Sequence, residues 1–170
     1  NAEWASPIVM VPKPDGSTRF CVDYRRLNAI TVRDSYLLPR MDECIDSLGE
    51  TCIFSTLDCN AGYWQIPVAK EDIPKTTFTS HEGIFWFLRM PFGLRNAPAT
   101  FQRFVDITLS GLTWKVCLVY LDDIIVFSRD TAEHMEHLDA VLHRLYSAGL
   151  SLNLKQCKFF QASVDYLGHV

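Results

Sequence analysis

Val116-Cys117-Leu118-Val119-Tyr120-Leu121-Asp122-Asp123-Ile124-Ile125-Val126-Phe127 is an apolar run broken at its middle by two adjacent carboxylates. The β-branched and aromatic residues on either side read as buried strand, and Asp is a poor strand residue. Burying either charge without compensation is costly, so the pair needs cations or a tight turn. Two readings stay open on this segment alone. One is a hairpin turn at Leu121-Asp122-Asp123 with solvated carboxylates; the other is a site that gathers cations. A second isolated acid shifts the balance, because Asp58 ends another buried strand, Cys52-Ile53-Phe54-Ser55-Thr56-Leu57. If the two segments are neighbours in one sheet, three carboxylates converge at one edge. Oxygen-only clusters suit Mg²⁺, which takes one or two carboxylates per ion together with substrate phosphates. Two such ions close together drive in-line phosphoryl and nucleotidyl transfer.

The flanking pattern is that of an α+β chain with a mostly antiparallel sheet. Ile8–Val11 and Arg19–Tyr24 read as strands around Pro14-Asp15-Gly16-Ser17, a turn with glycine where positive φ is needed. Pro39–Leu48 reads as a short helix ended by Gly49, and Thr76–Thr79 with Ile84–Arg89 as a second hairpin. Asn96–Leu112 is a helix with Phe101, Phe104, Val105 and Leu109 on one face. Thr131–Ala148 is amphipathic, with Met135, Leu138, Val141, Leu142 and Leu145 expected inward. His134, His137 and His143 on that helix lack a third metal ligand and read as solvated or partly packed. Lys158–Phe160 and Val164–Leu167 read as short closing strands.

Composition bounds the class. The chain has 170 residues with 20 acidic and 16 basic side chains, a net charge of −4. Apolar residues at 48% and charged residues at 21% exclude a disordered or low-complexity chain. No apolar run approaches the ~18 residues of a membrane span, no signal peptide is expected at the N-terminus, and no membrane partner is expected. Cys21, Cys44, Cys52, Cys59, Cys117 and Cys157 form no C-x-x-C pair, which favours a reducing compartment.

The order and wording of the segments resembles the reverse transcriptase of gypsy-type long-terminal-repeat retrotransposons. The matching pieces begin with Trp4-Ala5-Ser6-Pro7, Lys13-Pro14-Asp15-Gly16-Ser17 and Phe20-Cys21-Val22-Asp23-Tyr24-Arg25. Leu57-Asp58, Gly62-Tyr63-Trp64-Gln65-Ile66, Lys75-Thr76-Thr77-Phe78 and Met90-Pro91-Phe92-Gly93-Leu94 follow. Asn96-Ala97-Pro98-Ala99-Thr100-Phe101-Gln102, Tyr120-Leu121-Asp122-Asp123 and Tyr166-Leu167-Gly168-His169 complete the set. Each tetrapeptide is weak alone; together, in one order along the chain, they are specific.

The resemblance implies a right-hand polymerase fold: fingers at 1–32 and 66–96, palm at 33–65 and 97–170. The palm would be an antiparallel sheet with helices 96–112 and 131–148 packed on one face. It implies an RNA-directed DNA polymerase that extends a primer 3′-OH with deoxynucleoside triphosphates on an RNA or DNA template, as part of a retrotransposon polyprotein. The thumb, connection and ribonuclease H of the family are expected to lie outside these residues. Asp58, Asp122 and Asp123 would hold two Mg²⁺ ions, with Mn²⁺ as substitute, and the Cys59 carbonyl would be a further ligand. Lys13 and Arg19 would grip the triphosphate, a point charge and a planar fork on phosphate oxygens. Tyr63 would exclude a ribose 2′-hydroxyl sterically. Phe92 stands where retroviral enzymes carry Gln, a change usual in the gypsy type. Leu167 and Gly168 match the primer grip, and Lys155, with Lys158 as the competing position, matches a lysine that protonates pyrophosphate. Arg25, Arg26, Arg33 and Arg40 are candidates for template-primer phosphates. The setting would be intracellular, in a cytoplasmic virus-like particle or the nucleus. The competing reading is a truncated, catalytically silent fragment that binds nucleic acid. A polymerase making RNA is disfavoured by Tyr63 and by Tyr120-Leu121 before the acids.

Overall fold

The computed structural model describes residues 4–12, 16, 18–37, 39–49 and 51–166. Its strands and helices run in the order β1 (Ser6–Pro12), β2 (Thr18–Val22), α1 (Arg25–Ile30), α2 (Met41–Leu48), β3 (Ile53–Asp58), β4 (Phe78–Ser80), β5 (Gly83–Phe85), α3 (Ala97–Thr108), β6 (Cys117–Tyr120), β7 (Asp123–Ser128), α4 (Thr131–Ser147) and β8 (Lys158–Gln161). Single 3₁₀ turns cover Gly62–Gln65 and Ile73–Thr76. The chain divides into two compact units, one of residues 1–35 and 63–98 and the other of residues 36–62 and 99–170.

The first unit is built on a four-stranded sheet in the order β2-β1-β4-β5. Both expected hairpins form, β1 with β2 and β4 with β5, and Gly16 takes φ +80 in the first turn. The hairpins join through a parallel pairing of β1 with β4, which periodicity does not announce because it links distant segments. Tyr24 is buried against this sheet, and its hydroxyl donates to the Thr76 carbonyl at 2.8 Å. Val22, Tyr24 and Leu27 form the core, with Trp4, Phe78, Phe87 and Leu94 packed around them.

The second unit carries the fully antiparallel sheet β6-β7-β3-β8. Alternation along the strands gives it two covered faces. Leu118, Ile125 and Phe127 point to one face and cluster with Cys44 of α2 and with Tyr166. Ser55 and Ser128 point to the other, where α4 lies. The apolar pattern leaves the position of α2 open; the sheet decides it, because both faces of these strands are apolar. The expected strand at Val164–Leu167 is only a bridge at Tyr166, and Leu167 lies outside the described residues.

Helix α4 begins at a reciprocal cap: the Asp130 side chain accepts from the Glu133 N–H at 2.9 Å, and Glu133 accepts from the Arg129 N–H at 2.8 Å. Its buried stripe is His134, Leu138, Val141 and Leu145. Met135, expected inward, is exposed, since the 4-3-4 spacing of that stripe turns residue 135 about 100° away. His134 takes the inward place through hydrogen bonds from its ring to Ser55 Oγ at 2.7 Å and Ser128 Oγ at 3.0 Å. Ser128 Oγ also meets His137 Nδ1 at 2.8 Å, which lies 3.0 Å from the Phe127 carbonyl. That carbonyl only accepts, so His137 Nδ1 carries the proton. A neutral His134 completes the chain by donating at one nitrogen and accepting at the other.

Burial, and then the neighbouring His137, hold His134 below its ordinary pKa. Its folded value lies below the unfolded one, so this stability is full above about pH 6.5 and is lost as pH falls toward the folded value. Melting temperature is therefore expected to drop between about pH 7.5 and about pH 5.5, and His134→Gln to flatten that step. An undiminished step in the variant would assign it to another group. A second expectation concerns Gly62, where a Cβ would stand 2.8 Å from Phe101 Cζ and 2.9 Å from Cε2. Phe101 is fully buried, so its ring would have to shift within a close-packed interior. Gly62→Ala is expected to destabilise by about 1–3 kcal/mol, read from the urea midpoint, and adding Phe101→Leu to recover part of the loss.

Candidate active site

The register of β3 against β7 runs without a break from Ile53 opposite Ser128 to Asp58 opposite Asp123. Leu57 and Ile124, one position inward, are buried, so the apolar pairing continues until the first charged pair reaches the sheet end. Directly opposed residues on an antiparallel pair hold their Cβ atoms about 5 Å apart on the same face, and this brings Asp58 and Asp123 together. Tyr120 pairs with Asp123 across the other edge of β7, leaving Leu121 and Asp122 as a two-residue loop. The hairpin turn and the convergence of acids are thus one feature.

Leu121, first of the two loop residues, has φ +56. Primed hairpin turns require that sign there and usually obtain it with glycine; a non-glycine residue so placed costs of order 1–3 kcal/mol. The Leu121 N–H donates to Gln102 Oε1 at 2.6 Å. Gln102 lies on α3 and is fully buried. In the sequence it stands out only as the last residue of one motif, since a polar residue on a helix face is ordinarily solvated.

Asp58 is half-buried, and Asp122 and Asp123 are exposed at the rim. Partial burial and then the Asp122 charge push the Asp58 carboxyl above the usual range. Burial, Asp122 and Asp58 do the same to Asp123. Among the described residues no lysine or arginine forms an ion pair with any of the three. Nor do three His, Cys, Asp or Glu side chains among them close into a ready-made metal cage. The donor set still fits a hard divalent cation: carboxylate oxygens on one rim, their repulsion unrelieved, open to further oxygens from a phosphate.

The backbone beside Asp58 is tied down from one direction. The Asn153 N–H donates to the Asp58 carbonyl at 2.9 Å, and the Asn60 N–H to the Ser151 carbonyl at 3.0 Å. These two bonds bracket the bridge of Cys59 with Leu152 and use the carbonyls of its neighbours, so the Cys59 carbonyl is not consumed in it. Its buried thiol is pushed up to about 12, first by burial and then by the nearby carboxylates; it stays protonated, and the donor Cys59 offers is the carbonyl. Lys155 is exposed on the Asn153–Gln156 turn that follows this bridge, and Lys158 opens β8 opposite Thr56.

In the first unit Tyr63 sits in the 3₁₀ turn with its ring 5.1 Å from that of Phe92, which is half exposed. Arg19 lies on β2 opposite Val11. Its side chain, together with Lys13, Leu167 and Gly168, lies outside the described residues. Two of the candidate phosphate-binding arginines pair locally, Arg25 with Asp23 at 2.6 Å and Arg40 with Asp42 at 2.8 Å.

Residues 11–170 match the family model described as reverse transcriptase (RNA-dependent DNA polymerase). The whole chain is 46% identical to the retrovirus-related Pol polyprotein from transposon 297 of Drosophila melanogaster, of which it covers 16%. Over 89% of its length it is 41% identical to the corresponding polyprotein from transposon gypsy of the same organism, covering 15% of it. It therefore spans about one sixth of the length of these relatives. Among solved structures, a foamy viral protease-reverse transcriptase in complex with double-stranded DNA superposes with a TM-score of 0.90 at 30% identity, over 99% of this chain and 29% of that one. The foamy viral enzyme in complex with an RNA/DNA hybrid gives 0.88 at 30% identity, over 96% of this chain and 22% of that one.

Proposed function

The chain belongs to the reverse transcriptase (RNA-dependent DNA polymerase) family, and on that premise we propose that it is the fingers and palm of an RNA-directed DNA polymerase. In this reading the first unit supplies the fingers and the second the palm. The observation that carries it is the pairing of Asp58 with Asp123 at the sheet end, with Asp122 beside them in the loop. The substrates are deoxynucleoside triphosphates and a primer annealed to an RNA or DNA template. The nucleic-acid complexes of the foamy viral enzymes support that choice. The remainder of a polyprotein, with thumb and ribonuclease H, is the further partner, and cysteines without a C-x-x-C pair suit an intracellular setting.

Asp58, Asp122 and Asp123 would hold two Mg²⁺ ions, or Mn²⁺ in their place, with the Cys59 carbonyl as an added oxygen. When bound, these ions supply charge stabilisation to the attacking and leaving oxygens of an in-line displacement at the α-phosphate. The chain's own residues do the rest. Lys13 and Arg19 neutralise and orient the triphosphate. Tyr63, its ring braced by Phe92, occupies the space a ribose 2′-hydroxyl would need. Lys155, on the turn bonded to the Asp58 backbone, is placed to give a proton to the departing pyrophosphate.

Primer extension on oligo-dT-primed poly-rA with Mg²⁺ tests the reading. Asp122→Asn is expected to abolish incorporation while template-primer binding persists, because that carboxylate holds metal and leaves the nucleic acid to other residues. Extension by the variant at the wild-type rate would overturn the assignment, and a chain that binds template-primer without extending it would favour the silent-fragment reading. Tyr63→Ala is expected to admit ribonucleotides; unchanged discrimination would return Tyr63 to a packing role. A stability readout accompanies these. Asp58 and Asp123 have folded pKa values above their unfolded ones, so their ionisation costs stability as pH rises through those values. Removing the Asp122 charge relieves both. In chelator at neutral pH, Asp122→Asn is expected to melt above the wild type, and Mg²⁺ to raise the melting temperature of the wild type alone.

A further inference from the structure

Leu121 stands in a left-handed conformation, φ +56, which a branched side chain adopts only where its surroundings impose it. One side chain grips the loop at that point. Gln102 accepts the Leu121 N–H at 2.6 Å with Oε1, and its Nε2 donates to the Val119 carbonyl at 3.2 Å. A single amide therefore bonds main chain on both sides of Tyr120, where β6 gives way to the loop. Nε2 also donates to Asp106 Oδ1 at 3.0 Å. Turned end for end, the amide would set its oxygen against two acceptors and its nitrogen against a donor. The loop and Asp106 thus agree on which way Gln102 faces, and the Tyr36 hydroxyl holds Asp106 by donating to its other oxygen at 2.7 Å.

A residue that merely filled this interior would be Leu or Met, because a buried amide costs stability unless its polar atoms are used. Here they go to the loop and to Asp106. Asp122 follows Leu121 directly and Asp123 opens β7, so the backbone conformation at Leu121 decides where both carboxylates emerge relative to Asp58.

We propose that Gln102 is a positioning residue for the carboxylate rim, holding Leu121 in its left-handed conformation and thereby setting the affinity of Asp58, Asp122 and Asp123 for a divalent cation. This rests on the reading of that rim as the metal-holding site. Gln102 touches neither cation nor substrate; it acts through the turn.

The test measures Mn²⁺ binding to the 170-residue chain by electron paramagnetic resonance, independently of catalysis. Gln102→Met, close in volume and unable to make either bond to the loop, is expected to weaken binding by about tenfold or more. Adding Leu121→Gly should restore most of the loss, since glycine takes positive φ without steric penalty and the turn then forms unaided. A purely structural role would lower the melting temperature of Gln102→Met while the folded protein kept its Mn²⁺ affinity, and that result overturns the proposal. Should Gln102→Met fail to fold, Gln102→Asn keeps an amide in the interior and withdraws it from the loop by one methylene. Weakened Mn²⁺ binding by that variant supports the proposal, and wild-type binding overturns it. Asp122→Asn separates the two levels. If it binds as the wild type does, or the wild type binds no Mn²⁺, the reading of the rim falls and the role of Gln102 with it. If Asp122→Asn alone loses binding, only the role of Gln102 falls.

Discussion

Three carboxylates at one end of one antiparallel sheet are the constraint around which the second unit is organised. Asp58 and Asp123 face each other because β3 and β7 keep unbroken register over six residue pairs, Ile53 with Ser128 through Asp58 with Asp123. The register is held by the apolar pairs inside it, Leu57 with Ile124 above all, and a slip of one residue would turn each of them to the wrong face. Buried hydrophobic pairing therefore aims like charges at one another, and the cost appears in the raised carboxyls of Asp58 and Asp123. A fold tuned only for stability would not retain that arrangement. Its persistence next to a strained Leu121 is the kind of local conflict that marks functional sites.

Around this rim, polar groups inside the unit do the positioning that apolar packing leaves undetermined. Gln102 bonds the loop backbone from α3. His134 joins α4 to the sheet through Ser55 and Ser128. The Asp58 backbone is bonded to the turn that carries Lys155. Hydrophobic contact is non-directional, whereas a buried hydrogen bond constrains both distance and angle. Chemistry that depends on the placement of oxygen atoms is better served by the second kind of contact, which is why buried Gln and His sit where Met or Leu would pack equally well.

The sequence carried the chemistry of the rim openly. Acidic residues at the ends of apolar runs conflict with their neighbours' preference for burial, and that conflict is local, so it can be read without a structure. The hairpins of the first unit, the helix stop at Gly49 and the amphipathic stripe of α4 are legible for the same reason. Their signals lie within a few residues of each other, in alternation, in turn chemistry and in 3.6-residue spacing. The order of motifs along the chain was enough to identify the family.

Contacts between distant segments decided the rest. The parallel pairing of β1 with β4 joins residues about seventy positions apart, and no local pattern encodes it. Met135 and His134 exchanged their expected places because a buried imidazole becomes favourable only once Ser55, far away in the chain, stands opposite it. Gln102 reads as an ordinary helix residue until β6 and its loop are folded against it. Local propensity and charge, being properties of neighbours, determined which residues could do chemistry and which segments would be strands or helices. Only tertiary structure decided how Asp58 meets Asp122 and Asp123, since register and buried hydrogen bonding exist between segments and in neither one alone.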